Sequence, residues 1–125
     1  MKLAILFAVI IFLVCTASAA EQSSGYLVDS KCYKIAIGNV NPRSTSTTDL
    51  DMDRVIKLCV PTSKTTLFGL VQADWRMVIL DSAGSSKAAE EIRAAGKQPS
   101  YVATVTGEIG GGIMAVESIS LAQPR

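Results

Sequence analysis

The N-terminus constrains this chain more than any other feature. Met1 and Lys2 precede an unbroken apolar run from Leu3 to Cys15. The run gives way to Thr16-Ala17-Ser18-Ala19-Ala20 and then to polar Glu21-Gln22-Ser23-Ser24. A short positive start, an apolar middle and a small-residue cleavage site form the layout of a secretory signal peptide. A membrane-spanning helix needs about 20 apolar residues, which this run does not reach. Residues 1–20 are therefore expected to be a signal peptide, cleaved after Ala19 or Ala20, and residues 21–125 one exported domain, periplasmic or secreted. Val14 precedes Cys15, where lipid attachment asks for a small residue, so no lipid anchor is expected.

Export decides how the cysteines are read. Cys32 and Cys59 remain once the leader is gone, and in an oxidising compartment their one intrachain pairing is a disulfide. Closing a loop of about 28 residues is worth roughly 3–4 kcal/mol in the chain-entropy model. No Cys-x-x-Cys spacing supports a redox pair, and two thiols are half a zinc ligand set.

Lys2 leaves with the leader, so 11 basic residues face 11 acidic ones and the net charge is zero. Without a polybasic cluster, neither nucleic acid nor an anionic bilayer is an expected partner, and no stable membrane insertion follows cleavage. The chain has no histidine. Ser-His-Asp, Cys-His and His-based metal sites are thereby excluded from it.

The pattern of the mature chain points to a small β protein. Gly25 to Val28 reads as a first strand ending at Asp29-Ser30, followed by a long polar connection through Asn39, Asn41-Pro42 and Ser44-Thr45-Ser46-Thr47-Thr48. Within it, Asp49 to Val60 carries Val55, Ile56 and Cys59 at near-helical spacing, with Thr48 as cap and Pro61 as stop. The disulfide would pin this helix to the end of the first strand. Leu67 to Gln72 and Trp75 to Leu80 read as strands joined by a tight turn at Ala73-Asp74. Asp81 to Gly84 reads as a turn. A helix is then expected from a cap at Ser85 or Ser86, with Ala88, Ala89, Ile92 and Ala95 on one face, Glu90 and Glu91 near its start and Gly96 as its stop. Tyr101 to Thr106 and Ile113 to Leu121 complete the set across a glycine-rich turn. Val116 and Ile119 are three apart, so a bulge near Glu117-Ser118 is required for both to face the core. The fold class expected is mainly β: a five-stranded OB-fold-like barrel in the order β-β-β-α-β-β, with an extra short helix in the first long connection.

Gly25-Tyr26-Leu27-Val28-Asp29-Ser30-Lys31-Cys32, Lys57-Leu58-Cys59, Phe68-Gly69-Leu70-Val71, Leu80 through Ala89, Ala103-Thr104-Val105-Thr106-Gly107 and Val116-Glu117-Ser118-Ile119 span nearly the whole mature chain. Together they resemble a family of small exported bacterial proteins with an OB-fold-like domain, a G-x-x-V-D-S-x-C opening and a second cysteine in a helical loop. The resemblance implies export and the barrel, and assigns no activity. Relatives often carry a histidine shortly before the second cysteine; Val55 stands in that neighbourhood here, so no metal or haem role carries over.

Asp49, Asp51 and Asp53 begin like a calcium loop, but Arg54 and Val60 occupy the positions that need glycine and glutamate. No metal and no cofactor is expected. Ser63-Lys64 and Ser86-Lys87 are adjacent pairs whose side chains diverge, so no catalytic residues are assigned and the chain is not expected to be an enzyme. Gly110-Gly111-Gly112 reads as a hairpin turn. The expectation is a binding module of the cell envelope, taking an oligomer or peptide on a barrel face drawn from Lys64, Phe68, Trp75 and Arg76. The alternative is a structural or interaction protein of the envelope that takes no small ligand.

Overall fold

The computed structural model describes residues 20–39 and 49–122. Nearly all of the segment expected to be a leader, the Ser44–Thr48 tract with its cap, and the side chains of Asp49 and Asp51 lie outside the described residues. Five strands, β1 (Glu21–Asp29), β2 (Phe68–Val71), β3 (Met77–Leu80), β4 (Tyr101–Gly110) and β5 (Ile113–Leu121), close into a barrel in the order β1-β2-β3-β5-β4. All pairings are antiparallel except β3 with β5, which close the seam in parallel through Ile79↔Ile113 and Leu80↔Met114. The strand order and the helix between the third and fourth strands are those of an OB-fold, as the sequence pattern predicts.

Side-chain alternation along each strand builds the barrel interior. Leu27, Leu70, Val78, Leu80, Val105 and Met114 point inward and are buried, with Phe68 and Tyr101 at one end. On β5, Ser118 pairs with Thr106 and Val116 with Gly107, leaving Glu117 as the extra residue of a bulge. The bulge lets Val116 and Ile119 both reach the core across a three-residue spacing. Lys87 Nζ on the helix above donates to the carbonyl of Glu117 at 2.7 Å. Gly111 and Gly112, at φ 60° and 78°, form a two-residue hairpin turn whose backbone only glycine adopts without strain. β4 and β5 therefore run closer to the tip than the glycine-rich stretch implies.

The helix over the seam, α3 (Ser82–Ala95), starts one turn earlier than its serines suggest. Asp81 leaves β3 in an extended conformation, donates its N–H to Met114 O at 3.0 Å and accepts the Gly84 N–H on Oδ1 at 2.8 Å. It is thus fixed to the barrel and is the first cap the chain reaches. Ser85 is instead buried, its Oγ accepting from Phe68 N at 3.2 Å. Glu90 and Glu91 fall well inside the helix, and Ala95 is exposed. Gly96, at φ 77°, ends the helix as expected, returning its N–H to Ile92 O at 3.0 Å.

Two helices occupy the first connection where the pattern gives one. α2 (Asp49–Leu58) is the expected helix. α1 (Ser30–Asn39) follows β1 without a gap because Asp29 caps it, accepting the Cys32 N–H on Oδ1 at 3.1 Å. Cys32 and Cys59 form the disulfide, with Cα atoms 5.4 Å apart, joining the first turn of α1 to the end of α2. Asp29 N–H also donates to Cys59 O at 2.9 Å, so the link reaches the end of β1. Val28 and Val71, pointing outward from β1 and β2, pack under Tyr33, Met52 and Ile56 of these helices. All four residues of β2 are buried as a result, the barrel interior on one face and the helical layer on the other.

Candidate functional site

The four residues expected to form a binding face are divided between opposite ends of β2. Phe68 begins the strand, opposite Asp29, and is 1% exposed within the barrel core. Lys64 is exposed nearby, in an open depression of about 470 Å³ that also takes in Lys31 and Lys34. Trp75 and Arg76 lie past the other end of the strand, in the turn to β3. That turn is a three-residue loop rather than the expected two: Trp75 N–H donates to Gln72 O and Gln72 N–H to Arg76 O, each at 2.9 Å. Trp75 sits there at φ 65°, a conformation unusual for a bulky residue. The Tyr33 hydroxyl holds it by donating to Trp75 O at 2.6 Å, and the indole packs on the helical layer. Burial, and then the Asp74 carboxylate, raise the pKa of Tyr33. Arg76 is exposed, 3.6 Å from Asp74.

The face of β2 and β3, with the flanking loops, is where an OB-fold ordinarily takes its ligand. Here Val28, Val71, Met77 and Trp75 already pack against α1 and α2, and the disulfide keeps those helices in place.

A groove of about 430 Å³ opens elsewhere, between the segment entering β2 and the C-terminal end of α3. Phe68, Ile92, Tyr101 and Val60 supply an apolar base. One wall is the 61–65 turn, held by Thr65 N–H to Thr62 O (3.1 Å) and Thr62 N–H to Thr65 Oγ1 (3.0 Å). Thr65 Oγ1 itself donates to Asp29 Oδ2 at 3.0 Å. The other wall is the α3–β4 loop, tied by the buried Tyr101 hydroxyl, which donates to Gly96 O at 2.8 Å and accepts Gln98 N–H at 3.2 Å. Both walls are therefore pre-formed. Arg93 and Lys97 line the rim and are exposed; neither makes an ion pair among the described residues.

Of these groove residues, Phe68 alone was a sequence candidate, because the site is assembled from three segments each unremarkable by itself. The cations on either side of the Gly96 stop, Arg93 in the last turn of α3 and Lys97 just past it, are the one local signal that points to it. Asp53, from the acidic run, pairs with Lys57 at 3.0 Å one helical turn on, which accounts for it as a surface helix residue. Among the described residues no helix is long and apolar enough to cross a membrane. No protein-family model, curated protein or solved structure matches the chain.

Proposed function

We propose that the chain is an exported, non-catalytic binding module of the bacterial cell envelope, whose ligand lies in the groove between residues 60–65 and the C-terminal end of α3. The observation that carries this reading is the groove itself: a pre-formed cleft of about 430 Å³ with an apolar base and polar rim, within the range of small-ligand sites. The leader-like N-terminus and the Cys32–Cys59 disulfide support export. The lack of histidine supports binding over catalysis. The resemblance to small exported proteins agrees with both.

The alternative, an interaction protein of the envelope without a small ligand, draws support from Ile35 and Leu58. These apolar side chains of the helical layer are 60% and 73% exposed.

Backbone-amide NMR of the oxidised mature chain, titrated with a library of small envelope metabolites, separates the two. Binding at the groove moves the amide resonances of Thr62, Ser63, Gln98 and Tyr101. Shifts confined to α1 and α2, and produced only by an envelope protein, would replace this reading with the interaction protein.

A further inference from the structure

We infer that the groove selects a small amphipathic carboxylic acid, its apolar body on Val60, Ala89 and Ile92 above the buried rings of Phe68 and Tyr101, and its carboxylate between Arg93 and Lys97. The inference rests on the groove reading above and adds the ligand class to it.

Three observations converge. The base is aliphatic and aromatic, which favours an apolar body by desolvation and disfavours a strongly hydrated polyanion such as a phosphate ester. Arg93, in the last turn of α3, and Lys97, just past its Gly96 stop, both line the groove with no ion-pair partner among the described residues, in a mature chain of zero net charge. Arg93 offers the planar fork that matches a carboxylate, and Lys97 a second point charge. The carbonyl end of α3 also faces this rim, and its partial negative charge opposes an anion. Two full positive charges outweigh it, the effective half-charge of a helix end being the smaller quantity. The carbonyl of Ile92 is in any case occupied by the Gly96 N–H.

The volume sets the size of the acid. About 430 Å³ is near the lower end of small-ligand sites, so a medium-chain or aryl-alkyl acid fits and a folded partner does not.

The test uses the oxidised mature chain, octanoate and 4-phenylbutyrate as probes, their neutral amides as controls, and a peptide ending in Leu-Phe with a free C-terminus. Binding is followed by amide NMR and calorimetry. The acids should move the Thr62, Ser63, Gln98 and Tyr101 resonances and bind at least tenfold tighter than the amides. Their affinity should fall with added salt, as expected for exposed cations. Arg93→Gln and Lys97→Gln, both at exposed positions, should keep the native spectrum and each weaken the acids several-fold. The double variant should bind acid and amide alike. Equal binding of acid and amide to the wild type, or an acid preference that survives the double variant, overturns the ligand class while leaving the groove reading intact. Binding of the peptide without the free acids also overturns it. If the acids bind but shift only β1, α1 and α2, both the ligand class and the groove fail.

Discussion

The barrel interior and the helical layer outside it share β2 and differ in almost everything else. The interior is assembled from residues that alternate along strands paired over long sequence distances, and Leu27, Leu70, Leu80 and Met114 are wholly excluded from water. The outer layer consists of two ten-residue helices, each below the length at which isolated helices are stable. It covers Val28 and Val71, leaves Ile35 and Leu58 largely exposed, and carries the only disulfide described. The contrast teaches where each kind of stabilisation is needed. A closed barrel with a filled centre holds through burial, whereas a thin layer that buries one face depends on a covalent link and a few hydrogen bonds.

This contrast is open to attack, most strongly at Phe68. Phe68→Ala removes a wholly buried ring from the interior and should cost about 3–5 kcal/mol in chemical denaturation, with barrel and helices lost together. Were α1 and α2 alone to melt, the two regions would not rank as described. Next in size is the paired Cys32→Ser and Cys59→Ser change, expected to cost about 2–4 kcal/mol. Hydrogen exchange should show protection falling first in α1 and α2 and least in β4 and β5. Uniform loss across the chain would mean that the layer and barrel unfold as one unit.

Tyr101→Phe is smaller, about 1 kcal/mol, because it removes the hydroxyl that ties the α3–β4 loop to Gly96 O and Gln98 N–H. Its signature should be faster exchange at Gln98, since that amide loses its acceptor. Unchanged exchange there would show that the groove wall is held by other means.

Tyr33→Phe is the most discriminating of the small effects, also about 1 kcal/mol near neutral pH, from loss of the bond to Trp75 O. The pKa of Tyr33 is raised above its ordinary value of 10.0 by burial and by Asp74. The folded state therefore holds this proton more tightly than the unfolded chain. The contribution is complete below about pH 10 and is lost as pH rises toward the folded value. Denaturation between pH 8 and 11 should show the wild-type advantage over Tyr33→Phe shrinking above pH 10. An advantage that grows there would reverse the assignment.

Much of the barrel was legible because strand alternation, caps and turn glycines act over a few residues. The bulge at Glu117 followed from the three-residue gap between Val116 and Ile119, and the end of α3 from Gly96. The Cys32–Cys59 bridge followed from counting the cysteines that lie beyond the expected leader. α1 is not legible in the pattern, although Asp29 is a helix-capping residue type, because Asn39, Asn41-Pro42 and the Ser44–Thr48 tract make the whole stretch read as one loop. Trp75 was placed in β3 for its strand propensity, but the Tyr33 hydroxyl bonds its carbonyl in the turn, a contact 42 positions apart in the chain.

By itself, then, the sequence determined the β-β-β-α-β-β order, the disulfide, the bulge and the lack of any histidine-based chemistry, all of which depend on local pattern or on composition. Only the tertiary structure decided that α1 and α2 cover the outer face of β1 and β2, and that residues 60–65, the end of α3 and the start of β4 enclose a groove. Which surface is covered and which is left concave depends on contacts between distant segments, and short-range periodicity carries no record of them.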